Sequence, residues 1–197
     1  MIPEPARKIM KRLGKWLGPH KAIEIVEEDG VRVLQIGGNA IQSAMRLDSP
    51  DRIELDYVRA MMAFLLFHPS PRDVLVVDGF VNGSPARSLC TRSFYDGAFA
   101  ALRPGGVMVA NFMSDDKRIE THCGRIAESF GRGPTLLLAE EEDNYVAFAL
   151  RGGPPRIRWT QLKARARAAQ RLFDLPLEDC LADLRRRNSH TTQYLTL

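Results

Sequence analysis

An aspartate closing a short apolar run is the first residue in this chain whose type and position could do chemistry. Asp78 follows Val74-Leu75-Val76-Val77 and precedes Gly79. Such a run suits a strand buried on both faces, and open α/β sheets bind ligands beyond the carboxyl ends of their strands. A carboxylate in that place either faces a ligand or serves as a turn residue ahead of the glycine. Gln42 lies in a strand-like segment, where a polar side chain can be a binding group or an ordinary outward residue. Tyr57 lies in a helical segment and suits a half-wet pocket or a partly buried packing position. Asp115 and Asp116 follow the apolar run 107–112 and read as caps of the next helix. His20, His68, His122 and His190 show no ligand spacing. Cys90, Cys123 and Cys180 are odd in number and lack a CxxC pair. Neither a metal site nor a disulfide framework is expected.

The elements that must position these residues can be read from periodicity and turn chemistry. Segments 22–28 and 31–36 read as strands around Asp29-Gly30, a strong hairpin signal. Gly37-Gly38 makes a second turn, and 39–47 returns as a third strand. After Ser49-Pro50-Asp51, segment 53–67 carries apolar residues at Leu55, Val58, Met61, Met62, Leu65 and Leu66, the spacing of a helix with one buried face. Segment 73–78 is a buried strand, 91–102 a helix, 107–112 a strand and 115–130 a helix. Segments 135–139 and 145–150 are strands joined by an acidic turn. Gly152-Gly153-Pro154-Pro155 marks a boundary, beyond which 161–172 and 177–187 read as tail helices. Strand, helix, strand, helix and a closing hairpin make a doubly wound sheet with an antiparallel last strand. Three regions are expected: 1–50, an N-terminal helix and antiparallel β unit; 51–151, the α/β domain; and 152–197, a basic helical tail.

Composition adds limits. The chain has 197 residues, 45% hydrophobic and 26% charged, which is globular rather than disordered. The net charge of +4 comes mainly from segment 7–15 and from the arginines between 151 and 187. Both stretches read as solvated basic helices, the first amphipathic through Ile9, Leu13, Trp16 and Leu17. Association with RNA is a weaker alternative, and no nucleic-acid partner is expected, since no aromatic stacking motif accompanies the arginines. No secretory signal or membrane span is legible, so a cytoplasmic location is expected.

Specific motifs go further. "LRPGG" at 102–106, followed by "VMVANF", resembles the corner after the fourth strand of class I S-adenosylmethionine (AdoMet)-dependent transferases. Segment 31–77, with its glycine turn, "Q" strand, Tyr-bearing helix and Pro-containing link, resembles the spermidine synthases and their bacterial relatives. Segment 76–106, "VVDGFVNGSPARSLCTRSFYDGAFAALRPGG", resembles a later piece of the same family. The resemblance covers most of 23–150 and implies a fold: α/β, with a small N-terminal antiparallel β unit before a Rossmann-like class I methyltransferase sheet that ends in an antiparallel hairpin. It also implies aminopropyl transfer from decarboxylated AdoMet, or a related AdoMet-dependent transfer, to a diamine or polyamine. By the same resemblance Asp78 is the catalytic carboxylate, Gln42 contacts the cofactor and Tyr57 lines the substrate pocket. Glu140-Glu141-Glu142-Asp143 reads as a solvated turn that could attract a polyamine.

The departures are as informative. The family places a GxGxG loop after the first sheet strand, an acid for the ribose after the second and an aspartate for adenine after the third. Here "SPRDVLVV" runs straight into "DGF", as though one strand served for two. At roughly 30 residues per βαβ step, two or more steps are absent. Gly37-Gly38-Asn39 is no substitute, because no helix long enough to face a ligand follows it. The second acid of the family stands as Val81, which cannot accept a proton. A truncated sheet, impaired or absent catalysis and self-association through the exposed sheet edge are therefore expected. The alternative is a non-catalytic, partner-binding paralogue or the product of an internal deletion.

Overall fold

The computed structural model describes residues 23–36, 41–68, 73–81, 84–139 and 143–197. The expected N-terminal amphipathic helix, the Gly37-Gly38 turn, most of the acidic turn and the side chain of Val81 lie outside the described residues. The chain divides into two units, 1–55 and 56–197.

In the first unit, strands β1 (Ile23–Glu28), β2 (Val31–Ile36) and β3 (Ile41–Arg46) form an antiparallel sheet in sequence order. Asp29 and Gly30 both take positive φ (48° and 76°), the backbone that a tight two-residue hairpin requires. Across β1 and β2 the guanidinium of Arg32 donates to Glu27 at 2.7 Å. Opposite β2 the register slips: Leu34 faces Ser43 and Gln35 faces Ile41, which leaves Gln42 as the extra residue of a bulge.

The second unit begins where one helix was expected over 53–67. Two short ones form instead, α1 (Asp56–Met61) and α2 (Phe64–Phe67). Between them Ala63 N–H donates to Ala60 O and Leu65 N–H to Met62 O, a tightened i to i+3 pattern. Buried Ala60, Met61, Ala63, Leu66 and Phe67 span more than half the circumference of a regular helix, and the tighter turn brings them to one side.

A four-stranded sheet follows, built from β4 (Val74–Val77), β7 (Val107–Met113), β8 (Thr135–Ala139) and β9 (Asn144–Leu150) in the order β4-β7-β9-β8. β4 and β7 are parallel, and β9 runs antiparallel to both of its neighbours. This is a mixed Rossmann-like sheet with a closing antiparallel hairpin, as the alternation of elements implied. The segment between β4 and the next helix contains a small ribbon, β5 (Phe80–Val81) with β6 (Ser84–Pro85), and a 3₁₀ turn at Arg87–Cys90. Helices α3 (Arg92–Ala101) and α4 (Ile119–Phe130) cover one face, with Tyr95, Ala98, Ile126 and Phe130 packed on Val77, Met108, Ala110, Phe112 and Ala147. Thr91 caps α3, accepting from Phe94 N–H at 3.1 Å. On the other face lie α1, α2, α5 (Trp159–Phe173) and α6 (Cys180–Arg187). Phe67 meets Phe148 there with ring centroids 5.0 Å apart. The "tail" is thus packed structure, and it carries a two-stranded ribbon unseen in the sequence, β10 (Arg156–Arg158) with β11 (Tyr194–Thr196).

The LRPGG corner sets the β4–β7 register. Arg103 donates through its guanidinium to both carboxylate oxygens of Asp73 at 2.7 Å, and its backbone N–H adds a third bond at 2.9 Å. Those bonds hold the Asp73 carboxyl at about 2, below the ordinary range. Gly105 has φ +87°, and a Cβ on Gly106 would come within 3.0 Å of Arg103 O, so both glycines are required by the backbone. The buried-strand expectation for β4 fails at one position. Val76 is 49% exposed, because β4 is an edge strand: among the described residues nothing pairs with its far side.

Candidate functional site

The carboxyl ends of β4 and β7 and the start of β9 meet at one end of the sheet, where Asp78 stands just past β4. Asn111, in β7, donates from Nδ2 to Asp78 Oδ1 at 3.1 Å. Asn144, the first residue of β9, donates from Nδ2 to Asn111 Oδ1 at 2.9 Å. Both asparagines are 5% exposed, whereas Asp78 is exposed. Two buried amides in series thus fix the direction of one solvent-facing carboxylate. Asn111 can donate only if its oxygen accepts from Asn144, so the relay also fixes each amide's orientation. The apolar spelling "VMVANF" hid Asn111; an asparagine inside an otherwise buried apolar run was the only available signal.

Gly79 follows for a packing reason. A Cβ there would lie 2.5 Å from Leu89 Cδ1, so the 3₁₀ turn presses directly on the backbone behind Asp78. Ala86 N–H also donates to Gly79 O at 2.9 Å.

Beside this relay a cavity of about 340 Å³ is lined by Ser84, Pro85, Met113, Asp115, Asp116, Lys117 and Arg118. Asp78 is not among its lining residues. Asp116 does not cap α4 as expected. Its carboxylate accepts from the backbone N–H of Arg118 at 2.9 Å and pairs with that residue's guanidinium at 2.9 and 3.0 Å, closing a turn ahead of the helix. Behind it His122 is 1% exposed and stacks on Phe112 with centroids 5.3 Å apart. Its Nε2 donates to Asp116 Oδ2 at 3.3 Å, leaving Nδ1 as a buried, unpartnered acceptor. Asp115 and Lys117 remain exposed at the rim.

These two groups make stability depend on acid. The Arg118 guanidinium holds Asp116 at about 2, while an unfolded aspartate titrates near about 4. The stabilisation from Asp116 is present above about pH 4 and is lost as pH falls toward 2. Burial pushes the His122 pKa below its ordinary 6.5, so the unfolded chain takes up that proton first. Its contribution is complete above about pH 6.5 and declines below that. Denaturant midpoints measured from pH 7.5 downward, at about one-unit steps, should first fall in the histidine range and then more steeply below about pH 4. His122→Gln should remove the first decline and leave the second.

Of the other predicted site residues, Tyr57 is half-buried on α1, which packs mainly on β7, β8 and β9. Gln42 is exposed at the β3 bulge of the first unit. Phe94 and Tyr95 pack α3 on the sheet as expected, their rings edge to face at 5.6 Å.

An AdoMet-type cofactor finds no matching cradle among the described residues. β4 leads into the β5–β6 ribbon and a 3₁₀ turn rather than into a helix N-terminus, and Gly79, the only described glycine of that segment, is filled by Leu89. No described group of three His, Cys, Asp or Glu side chains is arranged to hold a metal ion. No helix among the described residues is long and apolar enough to cross a membrane.

No family model matches the chain. It is 25% identical to a polyamine aminopropyltransferase of Chromobacterium violaceum, over 89% of this chain and 94% of that protein. It is 24% identical to the polyamine aminopropyltransferase of Neisseria meningitidis, over 98% of this chain and 100% of that protein. Among solved structures, a probable spermidine synthase of Corynebacterium glutamicum shares the fold, with a TM-score of 0.60 at 16% identity over 89% of this chain and 96% of that one. The chain is therefore similar to the polyamine aminopropyltransferases at the level of distant homology.

Proposed function

We propose that this chain keeps the amine-binding half of an aminopropyltransferase site and binds a diamine or polyamine at Asp78, with aminopropyl transfer impaired or lost. The observation that carries the reading is the Asn144–Asn111–Asp78 relay at the carboxyl end of β4. A carboxylate held by buried amides and open to solvent suits a cationic ammonium group, whose charge it balances and whose proton it can accept. Tyr57 is proposed as a pocket residue and Gln42 as a relic of the cofactor contact. The impairment rests on the poor fit of the described residues to the cofactor and on Val81, which stands where the relatives' second acid belongs. The distant relatives support an internal deletion: the alignment with the Chromobacterium protein spans 244 positions, yet this chain has 197 residues. We further propose a cytoplasmic protein that self-associates through β4, in which residues 1–50 and 152–197 serve as flanking regions of the α/β domain.

Calorimetric titration with putrescine and spermidine, and separately with AdoMet, decarboxylated AdoMet and methylthioadenosine, tests the reading. Saturable diamine or polyamine binding is expected, together with no nucleoside binding up to about millimolar ligand. Asp78→Ala should weaken amine binding by about tenfold or more, the usual scale of one charge-assisted contact. Asn111→Leu should weaken it less, because the carboxylate remains but loses its direction. Binding of the amine unchanged by Asp78→Ala would overturn the site. Micromolar binding of decarboxylated AdoMet with product formation would overturn the impairment.

A further inference from the structure

The C-terminal segment gathers arginine and aromatic side chains that are separated along the chain. Between residues 151 and 197 there are ten Lys and Arg against four Asp and Glu. On the outer face of the β10–β11 ribbon, Arg156 and Arg158 lie over the ring of Tyr194 at 4.8 and 5.0 Å, while Ile157 and Leu195 point into the core. The next residue, Trp159, carries Arg185 of α6 over its ring at 4.5 Å and meets the edge of His190 at 6.0 Å. Its indole N–H donates to Thr191 O at 3.0 Å, which ties this second cluster to the loop before β11.

Three features of this patch point outward. Arg156, Arg158 and Arg185 are exposed, and none has a carboxylate partner among the described residues. The carboxylates nearest in sequence are occupied elsewhere: Glu178 pairs with Arg167, and Asp183 pairs with Arg186 and Arg187. A guanidinium held over a ring uses one side for that contact and keeps N–H groups for an anion. Trp159 and Tyr194 are only half-buried, so each ring retains open area.

We propose that this surface binds single-stranded nucleic acid. Phosphates would take the N–H edges of Arg156, Arg158 and Arg185, and a base would stack beside Trp159 or Tyr194. Open rings interleaved with unpaired guanidinium groups match a chain of alternating phosphates and flat bases, whereas an acidic polypeptide would use the charges and leave the rings idle. In sequence order no aromatic motif accompanies the arginines, so a nucleic-acid partner is not legible there. Folding supplies that juxtaposition by bringing 156–159, 185 and 190–194 together.

The test uses the full chain and a fluorescein-labelled 12-mer of oligouridylate, with a duplex of equal length and poly-glutamate as the other arms. Saturable anisotropy change is expected at about 50 mM salt, in the range of roughly 1–100 µM typical of sequence-independent binding. Trp16 and Trp159 are the two tryptophans, so in a Trp16→Phe background the 12-mer should quench the remaining fluorescence as a base stacks. Arg156→Glu with Arg158→Glu should weaken binding at least about tenfold and flatten the slope of log affinity against log salt by about 1.4. Arg185→Ala, on a different element, should weaken it about threefold to tenfold. Thermal melting unchanged from the parent shows that these exposed substitutions leave the fold intact. Absence of saturable binding by the 12-mer would sink the proposal. So would poly-glutamate binding as tightly as the 12-mer, or a duplex binding equally well with no quenching of Trp159.

Discussion

Replacing Asp183 with alanine should destabilise the second unit by about 2–3 kcal/mol, the scale of leaving a buried backbone donor unpaired and losing bonds to two partly exposed arginines. The side chain of Asp183 is 7% exposed and accepts from three donors. These are Leu138 N–H on β8 at 2.8 Å, Arg186 at 3.0 Å and Arg187 at 2.8 Å. Alanine leaves a part-buried backbone N–H unpaired and releases two guanidinium groups. The second of these, Arg187, also reaches Tyr145 Oη at 3.0 Å and lies over its ring. The neighbouring Asn188 acts on the same strand, accepting from Leu136 N–H and donating to Leu136 O, each at 2.7 Å. Together Asp183 and Asn188 bond the outer edge of β8 much as another strand would. Chemical denaturation of Asp183→Ala should show the loss, and the melting temperature should fall on the order of 10 °C. Asp183→Asn, which keeps an acceptor for Leu138 N–H, should lose less. Equal losses in the two variants would show that the charge, not the backbone cap, dominates.

Val76→Lys should abolish the self-association proposed through β4. The sheet has two edges and they are treated differently. α6 closes the β8 edge through Asp183 and Asn188, whereas the β4 edge has no partner among the described residues. β4 also exposes Val76, an apolar side chain on a strand that offers unpaired backbone groups, and such edges pair with other chains. Two copies related by a two-fold axis would pair β4 with β4 antiparallel and extend the sheet. A four-residue strand makes about four bonds, worth about 4 kcal/mol at about 1 kcal/mol each, and contact between the exposed Val76 side chains adds to them, so association should be weak, with a dissociation constant of about 0.1–1 mM. One lysine per copy brings like charges together at the seam and should raise the dissociation constant by about tenfold or more. Light scattering or sedimentation across a concentration series reads this directly. A parent chain that stays monomeric at about 1 mM would refute the edge pairing, and an association unaffected by Val76→Lys would move it to another surface.

Much of the architecture was legible because it is written locally. The Asp29-Gly30 hairpin follows from two residues that tolerate positive φ. The helix at 92–101 follows from Thr91 as its cap and LRPGG as its stop, and the closing hairpin follows from two apolar runs around an acidic turn. Asp78 was visible because a carboxylate after an apolar run is conspicuous. Each of these is a property of a few consecutive residues, whose backbone preferences and side-chain period carry over unchanged into the fold.

What only the tertiary structure decided are the contacts between residues distant in sequence. Asn111 and Asn144 stand 33 residues apart and become a relay for Asp78 only once β4, β7 and β9 lie side by side in register. The split of the helix at 53–67 answers to the sheet face it must cover. Asp183 and Asn188 read as residues of a basic tail until β8 presents its backbone to them. The arginines of the same segment gain aromatic partners in the same way, through the β10–β11 ribbon. Periodicity tells a residue which side of its own element it occupies. Strand order and register decide what it will meet there, and those are set by the collective burial of the whole core, which no local stretch of sequence encodes.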